Sequence, residues 1–489
     1  MSKVIEDELR NTFDIGINGF APDRCETKLP STFNDYRPLI TLLSTENGTA
    51  FRELVKELEI QLENVIPSTT NLAPHQKKYL YSVLSMIVHK YVWCNGVDDI
   101  IKKIPQYIGQ PWIEVCNDLG LPCVLTHAAV DLYNWQIRHK DKKLTLDNLK
   151  STHTMLGSPY EEWFYLVMVA IECIAGDALK GMYEIGIHLK NNTSETYDHD
   201  MITRNLLVVK STITESVSII ERMTHDRCDP SFFFNELRIY LQGSSKKDND
   251  KQPYFPDGLE IEGVSHDKIS FEGGSAAQSS LIQAFDVFLN VTHNGQRKEF
   301  LDRMRNYMPR KHREFLSELG KLPSVTEYAI NNENDEQKAI IVDSIEMLKN
   351  FRKAHIKLVQ DYIMKFVKEL EDAAAKKKKE DEEKGITSEE VKVNSDGTGG
   401  TNPMVFLPHV MNDTGKAARQ VMKNAAYAKI TKDADDILDN DTDDIIDNAE
   451  SMYDIKPLQN VHTYISLAVV GIPIVAAYFW LGHSTLVYG

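Results

Sequence analysis

A three-and-four spacing of apolar residues between positions 341 and 370 constrains the fold more than any other feature of this sequence. The apolar positions are Ile341, Ile345, Leu348, Phe351, Leu358, Val359, Tyr362, Phe366 and Leu370. This spacing predicts an amphipathic helix with one buried stripe, and His355 lies on that stripe. A buried imidazole without a partner costs about 1–3 kcal/mol. We therefore expect His355 either to be hydrogen-bonded within the core or to hold a ligand.

The overall composition limits the classes of partner. The chain has 489 residues, 55 basic and 72 acidic, with a net charge of -17, which argues against nucleic acid or anionic lipid as the main partner. Its six cysteines are scattered and form no Cys-x-x-Cys pair, which disfavours a disulfide framework or a structural zinc site. The first residues are acidic, unlike a secretory signal. We expect a cytoplasmic protein.

The remaining pattern is largely helical, because apolar periodicities of helical type are joined by Pro/Gly turns and clear strand alternation is scarce. We therefore predict an all-α fold. We place a small N-terminal helical domain at 1–155 and a larger helical domain at 156–410. Within the larger domain, residues 368–400 are predicted to form a charged mobile loop. After this domain, residues 411–489 are predicted to form an acidic tail.

The end of the chain contains an uncharged apolar run at 464–481. Its length of about 18 residues is marginal for a membrane span, and Tyr464 and Trp480 near its ends suit the two interfaces of a bilayer. Gly471 and Pro473 interrupt the run. We consider two interpretations, a C-terminal membrane anchor that leaves the protein facing the cytosol, and a buried terminal helix.

Two loops are rich in small residues. Residues 272–280 read Glu-Gly-Gly-Ser-Ala-Ala-Gln-Ser-Ser, and residues 397–401 read Gly-Thr-Gly-Gly-Thr. The first is either an interhelical turn or backbone that closely approaches something flat and rigid. The second lacks the following Lys-Ser/Thr of a phosphate-binding loop, which excludes that function.

Several separated segments occur in the order found in one known family. They are Trp163–Val167, Phe232–Phe234, Leu237–Leu241, Gly273–Ser280, Phe285–Val287, Arg305–Pro309, His355 with its flanks, and Gly397–Thr401. In these segments the chain resembles the indoleamine 2,3-dioxygenases, haem enzymes that open the indole ring of tryptophan. The resemblance covers residues 10–407 and implies a two-domain helical fold with haem in the larger domain.

The resemblance implies haem b as the cofactor. His355 falls at the position of the proximal ligand, the residue that binds the haem iron. Arg352 and Asp286 match a pair near the proximal side of the haem, and a plain buried ion pair is the alternative. Gly274 and Ser275 are expected at the haem edge.

The resemblance also implies a substrate site for L-tryptophan or a related indoleamine. Arg238 matches the residue that binds the substrate carboxylate, with a salt bridge to Glu236 or another acid as the alternative. Phe164 and Phe233 match pocket aromatics that pack against the indole. By the same resemblance, Ser275 and Ala276 are expected to line the haem edge and the substrate's amino group, and Thr398 matches a mobile loop that closes over the site.

Two positions depart from the family pattern on the distal side of the haem. Met168 stands where members commonly have a small serine, and His127 stands where a tyrosine is common. Met168 adds bulk, and His127 is expected to offer a hydrogen-bond donor near bound oxygen.

By resemblance, the reaction joins tryptophan and dioxygen to give N-formylkynurenine, the first step of the kynurenine pathway that feeds NAD synthesis. An electron donor would be needed to reduce the haem. One alternative is a non-catalytic haem-binding or sensor protein of this family. Another is a membrane-tethered helical scaffold, against which the loop 273–280 argues.

Overall fold

The computed structural model describes residues 2–45, 48–61, 65–245, 254–264, 268–332, 334–384 and 397–440. Helices dominate this part of the chain, so the all-α prediction is confirmed. The first eight helices are α1 Ser2–Phe13, α2 Arg37–Leu43, α3 Gly48–Gln61, α4 Pro74–Trp93, α5 Gln106–Leu119, α6 Pro159–Cys173, α7 Gly176–Asn191 and α8 His199–Ile220. The next eight are α9 Pro230–Phe232, α10 Ser280–Phe288, α11 Gln296–Arg305, α12 Arg310–Leu319, α13 Val325–Asn331, α14 Asp335–Val359, α15 Lys365–Glu383 and α16 Pro403–Asn440.

Short irregular helices and four small strands complete the described structure. Wide π turns span Ala128–Leu132, Phe233–Leu237 and Gln360–Met364, and 3₁₀ turns span Ser31–Tyr36, Leu146–Asn148, Arg238–Leu241 and Ala276–Gln278. Strands β1 Lys103–Ile104 and β4 Glu260–Ile261 pair in parallel, with Lys103 opposite Glu260. Strands β2 Trp135–Ile137 and β3 Leu149–Ser151 pair antiparallel, with Gln136 opposite Lys150.

Helix α14 carries the periodic stripe identified in the sequence. The Asn334 side chain accepts a hydrogen bond from the backbone N–H of Gln337, and Asp335 and Glu336 place negative charge at the first turn. The stripe is buried or partly buried through Phe366, whereas Leu370 is 49% exposed. The inclusion of Leu370 was wrong, because α15 leaves the core after its first turns and only Val367 is buried there.

Helix α14 packs against both α8 and α16. The buried side chains of α16 recur with a three-and-four spacing, which is the spacing that keeps side chains on one face of a helix. They include Val410, Thr414, Ala418 and Val421. We predicted that the acidic tail begins at 411. Helix α16 instead continues through this residue, and buried side chains within 411–421 pack against the other helices.

Residues 368–383, at the beginning of the segment that we predicted as a charged mobile loop at 368–400, are helical. Alanine, lysine and glutamate dominate this sequence, and all three favour helix.

The hydrophobic core extends across residue 155, where we divided the chain into two domains. One cluster of buried residues includes Ile5 in α1 and Val421 in α16. Pairing of β1 with β4 also joins the two regions. The division at 155 is therefore not marked by separate cores, and it stays a prediction.

None of the helices in the described ranges combines the length and the apolar character that crossing a bilayer requires. The segment 464–481, for which we considered a membrane anchor, lies outside the described residues.

Candidate active site

A cavity of about 230 Å³ lies among α6, α14, the π turn 128–132 and the loops 274–277 and 397–401. All but two of the predicted site residues line it. Those that do are His127, Phe164, Met168, Phe233, Arg238, Gly274, Ser275, Ala276, His355 and Thr398. The two that do not are Arg352, which is buried on α14, and Asp286, which is buried on α10. Long-range folding thus brings together residues that are far apart in the sequence.

His355 projects from α14 into this cavity and is partly exposed to it. It makes no hydrogen bond within the described residues, so hydrogen bonding does not explain its inward position. Burial, together with the positive charge of Arg352, lowers the pKa of His355 to about 4. A neutral imidazole with an available lone pair is the form that binds iron. The side chain therefore fits a haem ligand.

Arg352 and Asp286 form a buried ion pair behind His355. The guanidinium donates to both carboxylate oxygens of Asp286, at 2.8 and 2.7 Å, and also to the hydroxyl of Thr414 on α16. Although burial acts to raise the pKa of Asp286, the charges of Arg352 and His293 outweigh it and lower that pKa. Asp286 is therefore ionised at neutral pH, and the pair braces α14 one turn before His355.

The predicted substrate residues lie on other walls of the cavity. Arg238 is 9% exposed, and its guanidinium lies over the ring of Phe234, 5.3 Å from the centroid. The rings of Phe164 and Phe233 are 4.9 Å apart between centroids and tilted by 39°. The same cavity thus contains a cation and a pair of aromatic faces, which are the groups needed to bind an aromatic amino acid.

The two small-residue loops pack directly against one another. The backbone N–H of Gly273 donates to the carbonyl of Thr398 at 2.9 Å, and the Thr398 hydroxyl donates to the carbonyl of Gly274. A Cβ atom on Gly273 would lie only 2.1 Å from the carbonyl oxygen of Leu241, so this position requires glycine. Close backbone packing within the protein therefore explains part of the small-residue pattern in 272–280.

His127 lies between two carboxylates. Its Nδ1 atom is 2.6 Å from Oδ2 of Asp131, and its Nε2 atom is 2.9 Å from Oε1 of Glu172, which also accepts a hydrogen bond from Ser279. Burial acts to lower the pKa of His127, but the two carboxylates outweigh it and raise the pKa to about 10. The ring is therefore an imidazolium that donates from both nitrogens to protein oxygens. This geometry corrects the expected donor role near bound oxygen, because neither N–H remains for it.

The family to which this chain is similar is consistent with the residues that line the cavity. The sequence model of the indoleamine 2,3-dioxygenase family matches residues 10–417. The chain belongs to the indoleamine 2,3-dioxygenase family. It is 34% identical to mouse indoleamine 2,3-dioxygenase 1 over 410 residues, which cover 82% of this chain and 93% of the relative. It is 30% identical to human indoleamine 2,3-dioxygenase 2 over 339 residues, covering 69% and 79%.

Another relative in this group carries a different name. A protein of the abalone Haliotis diversicolor named myoglobin is 28% identical over 350 residues, covering 71% of this chain and 86% of the relative. The resemblance stated from the sequence is confirmed, and membership in a family of haem dioxygenases places the chain among the oxidoreductases.

In this indoleamine 2,3-dioxygenase family member, Met168 lies one helical turn after Phe164 on α6 and lines the cavity. The position is partly exposed to the cavity rather than sealed in the core. The thioether therefore occupies space that a serine would leave open.

Sequence reasoning missed the acids that hold His127. Asp131 follows His127 by four residues, and Glu172 follows Met168 by four residues on α6. Helical spacing alone could have suggested each acid as a neighbour of the cavity. The contact between Glu172 and His127 joins positions 45 residues apart, and no local pattern indicates it.

Proposed function

We propose that this indoleamine 2,3-dioxygenase family member uses haem to open the indole ring of L-tryptophan with dioxygen, giving N-formylkynurenine. The observation that carries the proposal is that His355 and Arg238 line one cavity. The first offers a neutral imidazole for iron, and the second offers a guanidinium for an amino-acid carboxylate. The product would enter the kynurenine pathway, which feeds NAD synthesis.

The residues that would hold haem b are on one side of the cavity. His355 would bind the iron, and Gly274 and Ser275 would border the macrocycle. The ion pair of Arg352 with Asp286 would keep the His355 helix in place. When bound, haem b supplies the iron chemistry for dioxygen, with an external electron donor keeping that iron reduced.

The remaining residues would bind and orient the substrate. Arg238 would pair with the carboxylate of tryptophan, and Phe164 and Phe233 would contact the indole. Ala276 is small and would leave room for the amino group. Thr398, held by the backbone of the neighbouring loop, would help to exclude water from the closed site. Orientation and water exclusion are the contributions of the protein, so no acid–base pair is required.

The test is an assay of purified, haem-loaded protein with L-tryptophan, dioxygen and an ascorbate-type reductant. Mass spectrometry should detect N-formylkynurenine, and isotopically labelled dioxygen should place two labelled oxygen atoms in it. Tryptamine, which lacks the carboxylate, is the matched substrate control and should react more weakly. Absence of product from fully haem-loaded, reduced protein would contradict the proposal.

A second candidate is a non-catalytic haem-binding or sensor protein. It is favoured by Met168 in the cavity wall, by the engagement of His127 with two acids, and by the relative named myoglobin. The same preparation separates the two candidates. A haem absorption spectrum that responds to dioxygen, without any product from tryptophan, would favour the second.

A further inference from the structure

A cluster of charged and polar side chains joins α14 to α16 away from the cavity. We call it the α14–α16 cluster, and its members are Asp286, His293, Arg297, Arg352, Asp413 and Thr414. Arg352 connects to α16 through the Thr414 hydroxyl and to α10 through Asp286. The cluster therefore touches the helix that carries His355 and the helix that follows the loop 397–401.

His293 bridges the two acids of the cluster. Its Nε2 atom is 3.4 Å from Oδ2 of Asp286, and its Nδ1 atom is 3.3 Å from Oδ2 of Asp413. The side chains of His293 and Asp413 are only 7% and 4% exposed. Arg297 donates to the same Asp413 oxygen at 2.7 Å.

Each ring nitrogen of His293 faces a carboxylate oxygen, so the imidazole links Asp286 on α10 to Asp413 on α16. An ionised carboxylate only accepts hydrogen bonds, and a ring N–H of His293 is the donor that it meets here. Removal of one member of such a buried set leaves its partners uncompensated, which weakens the contact between the two helices.

Helix α16 also determines where the glycine-rich loop lies. The helix begins at Pro403, directly after the loop 397–401. The other side of this loop is fixed by the hydrogen bonds of Thr398 to Gly273 and Gly274. The loop is thus held at one end by its neighbour and at the other by the packing of α16 on α14.

We propose that His293 and Asp413 are positioning residues that hold the loop 397–401 and the His355 helix together as one unit. Neither residue is among the described residues that line the cavity, so they act through Arg352 and through α16. This unit would align His355, on the haem side of the cavity, with the loop 397–401 that borders the substrate, and that role rests on the proposed function. The connection between the loop and the helix is given by the contacts described above.

Hydrogen–deuterium exchange measured by mass spectrometry tests the link in the haem-loaded protein. Asp413→Asn keeps the shape of the side chain but removes its charge. We expect amide exchange to become about tenfold faster both in 397–407 and in 350–358, because local opening of the two segments is coupled. His293→Gln should act in the same direction, and both variants should release haem faster to an acceptor protein.

Two further variants keep the test decisive. Asp343→Asn removes an exposed ion pair between Asp343 on α14 and Lys210 on α8, and it should leave exchange in both segments unchanged. If Asp413→Asn does not fold, Thr414→Val breaks the contact with Arg352 without burying a new polar group. Faster exchange confined to α16, or no change in either segment, would overturn the inference. Exchange requires no turnover, so an inactive protein would refute the proposed reaction without altering this result.

Discussion

The Nε2 atom of His127 lies 2.9 Å from Oε1 of Glu172, and this contact joins the π turn 128–132 to α6 at the cavity wall. Asp131 holds the opposite ring nitrogen, so the histidine is a buried cation between two acids. The backbone N–H of His127 donates to Gln278, whose side chain donates in turn to the carbonyl of Gly273. His127 therefore ties three walls of the cavity together.

Loss of the His127 proton should make the protein less stable at alkaline pH. The folded pKa of about 10 is above the ordinary value of 6.5, so its stabilisation is complete below pH 6.5 and is lost as pH rises through 10. We expect the free energy of unfolding to fall by up to about 1.4 kcal/mol per pH unit across this range. Urea denaturation at several pH values measures it.

The double variant His127→Phe with Asp131→Leu is the control for this prediction. It removes one positive and one negative charge and leaves Glu172 with the Ser279 hydroxyl as a donor. Its unfolding free energy should depend less on pH between 6.5 and 10. If the unfolding free energy fell equally with pH in the variant and in the original protein, His127 would not be the titrating group.

Replacement of the predicted iron ligand should abolish stable haem binding. In His355→Ala the cavity loses its neutral imidazole, and the described residues offer no other histidine on the α14 wall of that cavity. The ratio of haem absorbance to protein absorbance measures the loss, and added imidazole should restore part of it. His225→Ala, which removes a histidine that is 66% exposed, should retain haem. Normal haem content in His355→Ala would contradict the assignment.

The direction of His355 could be predicted from sequence because it depends on a local pattern. Residues three and four apart share one face of a helix, so Phe351 and Val359 determine where His355 points. The same rule failed at Leu370, because periodicity does not indicate where a helix leaves the core. Family resemblance supplied the cavity residues, and the fold brought most of them together.

The electrostatic partners of the site could not be predicted in this way. His127 meets Glu172 across 45 residues, and Arg352 meets Thr414 across 62. Such contacts depend on how helices pack, which a single sequence does not specify. The altered residue at 127 was therefore recognised from sequence, whereas its charge state became clear only from the structure.

Met168 should limit the size of substrate that the cavity accepts. Met168→Ser removes a flexible side chain from the wall, so tryptophans with bulky ring substituents should bind more tightly relative to tryptophan itself. Met168→Ser also removes packed apolar atoms, so we expect the free energy of unfolding to fall by about 1–3 kcal/mol. The loss is smaller than for a fully buried methionine, because Met168 is partly exposed to the cavity. Spectral titration of the haem measures binding. Met168→Leu conserves volume and should keep the original preference; an unchanged preference in Met168→Ser would contradict a steric role.

Arg238 should recognise the substrate by its carboxylate. Arg238→Lys keeps the positive charge but loses the planar pair of donors, and hydrogen bonds to charged groups contribute about 1.5–3 kcal/mol. We therefore expect tryptophan to bind about 10- to 100-fold more weakly, with haem content unchanged. Tryptamine, which has no carboxylate, should bind the variant and the original protein with similar affinity. A parallel loss of tryptamine binding would instead indicate that Arg238 supports the cavity wall through its contact with Phe234.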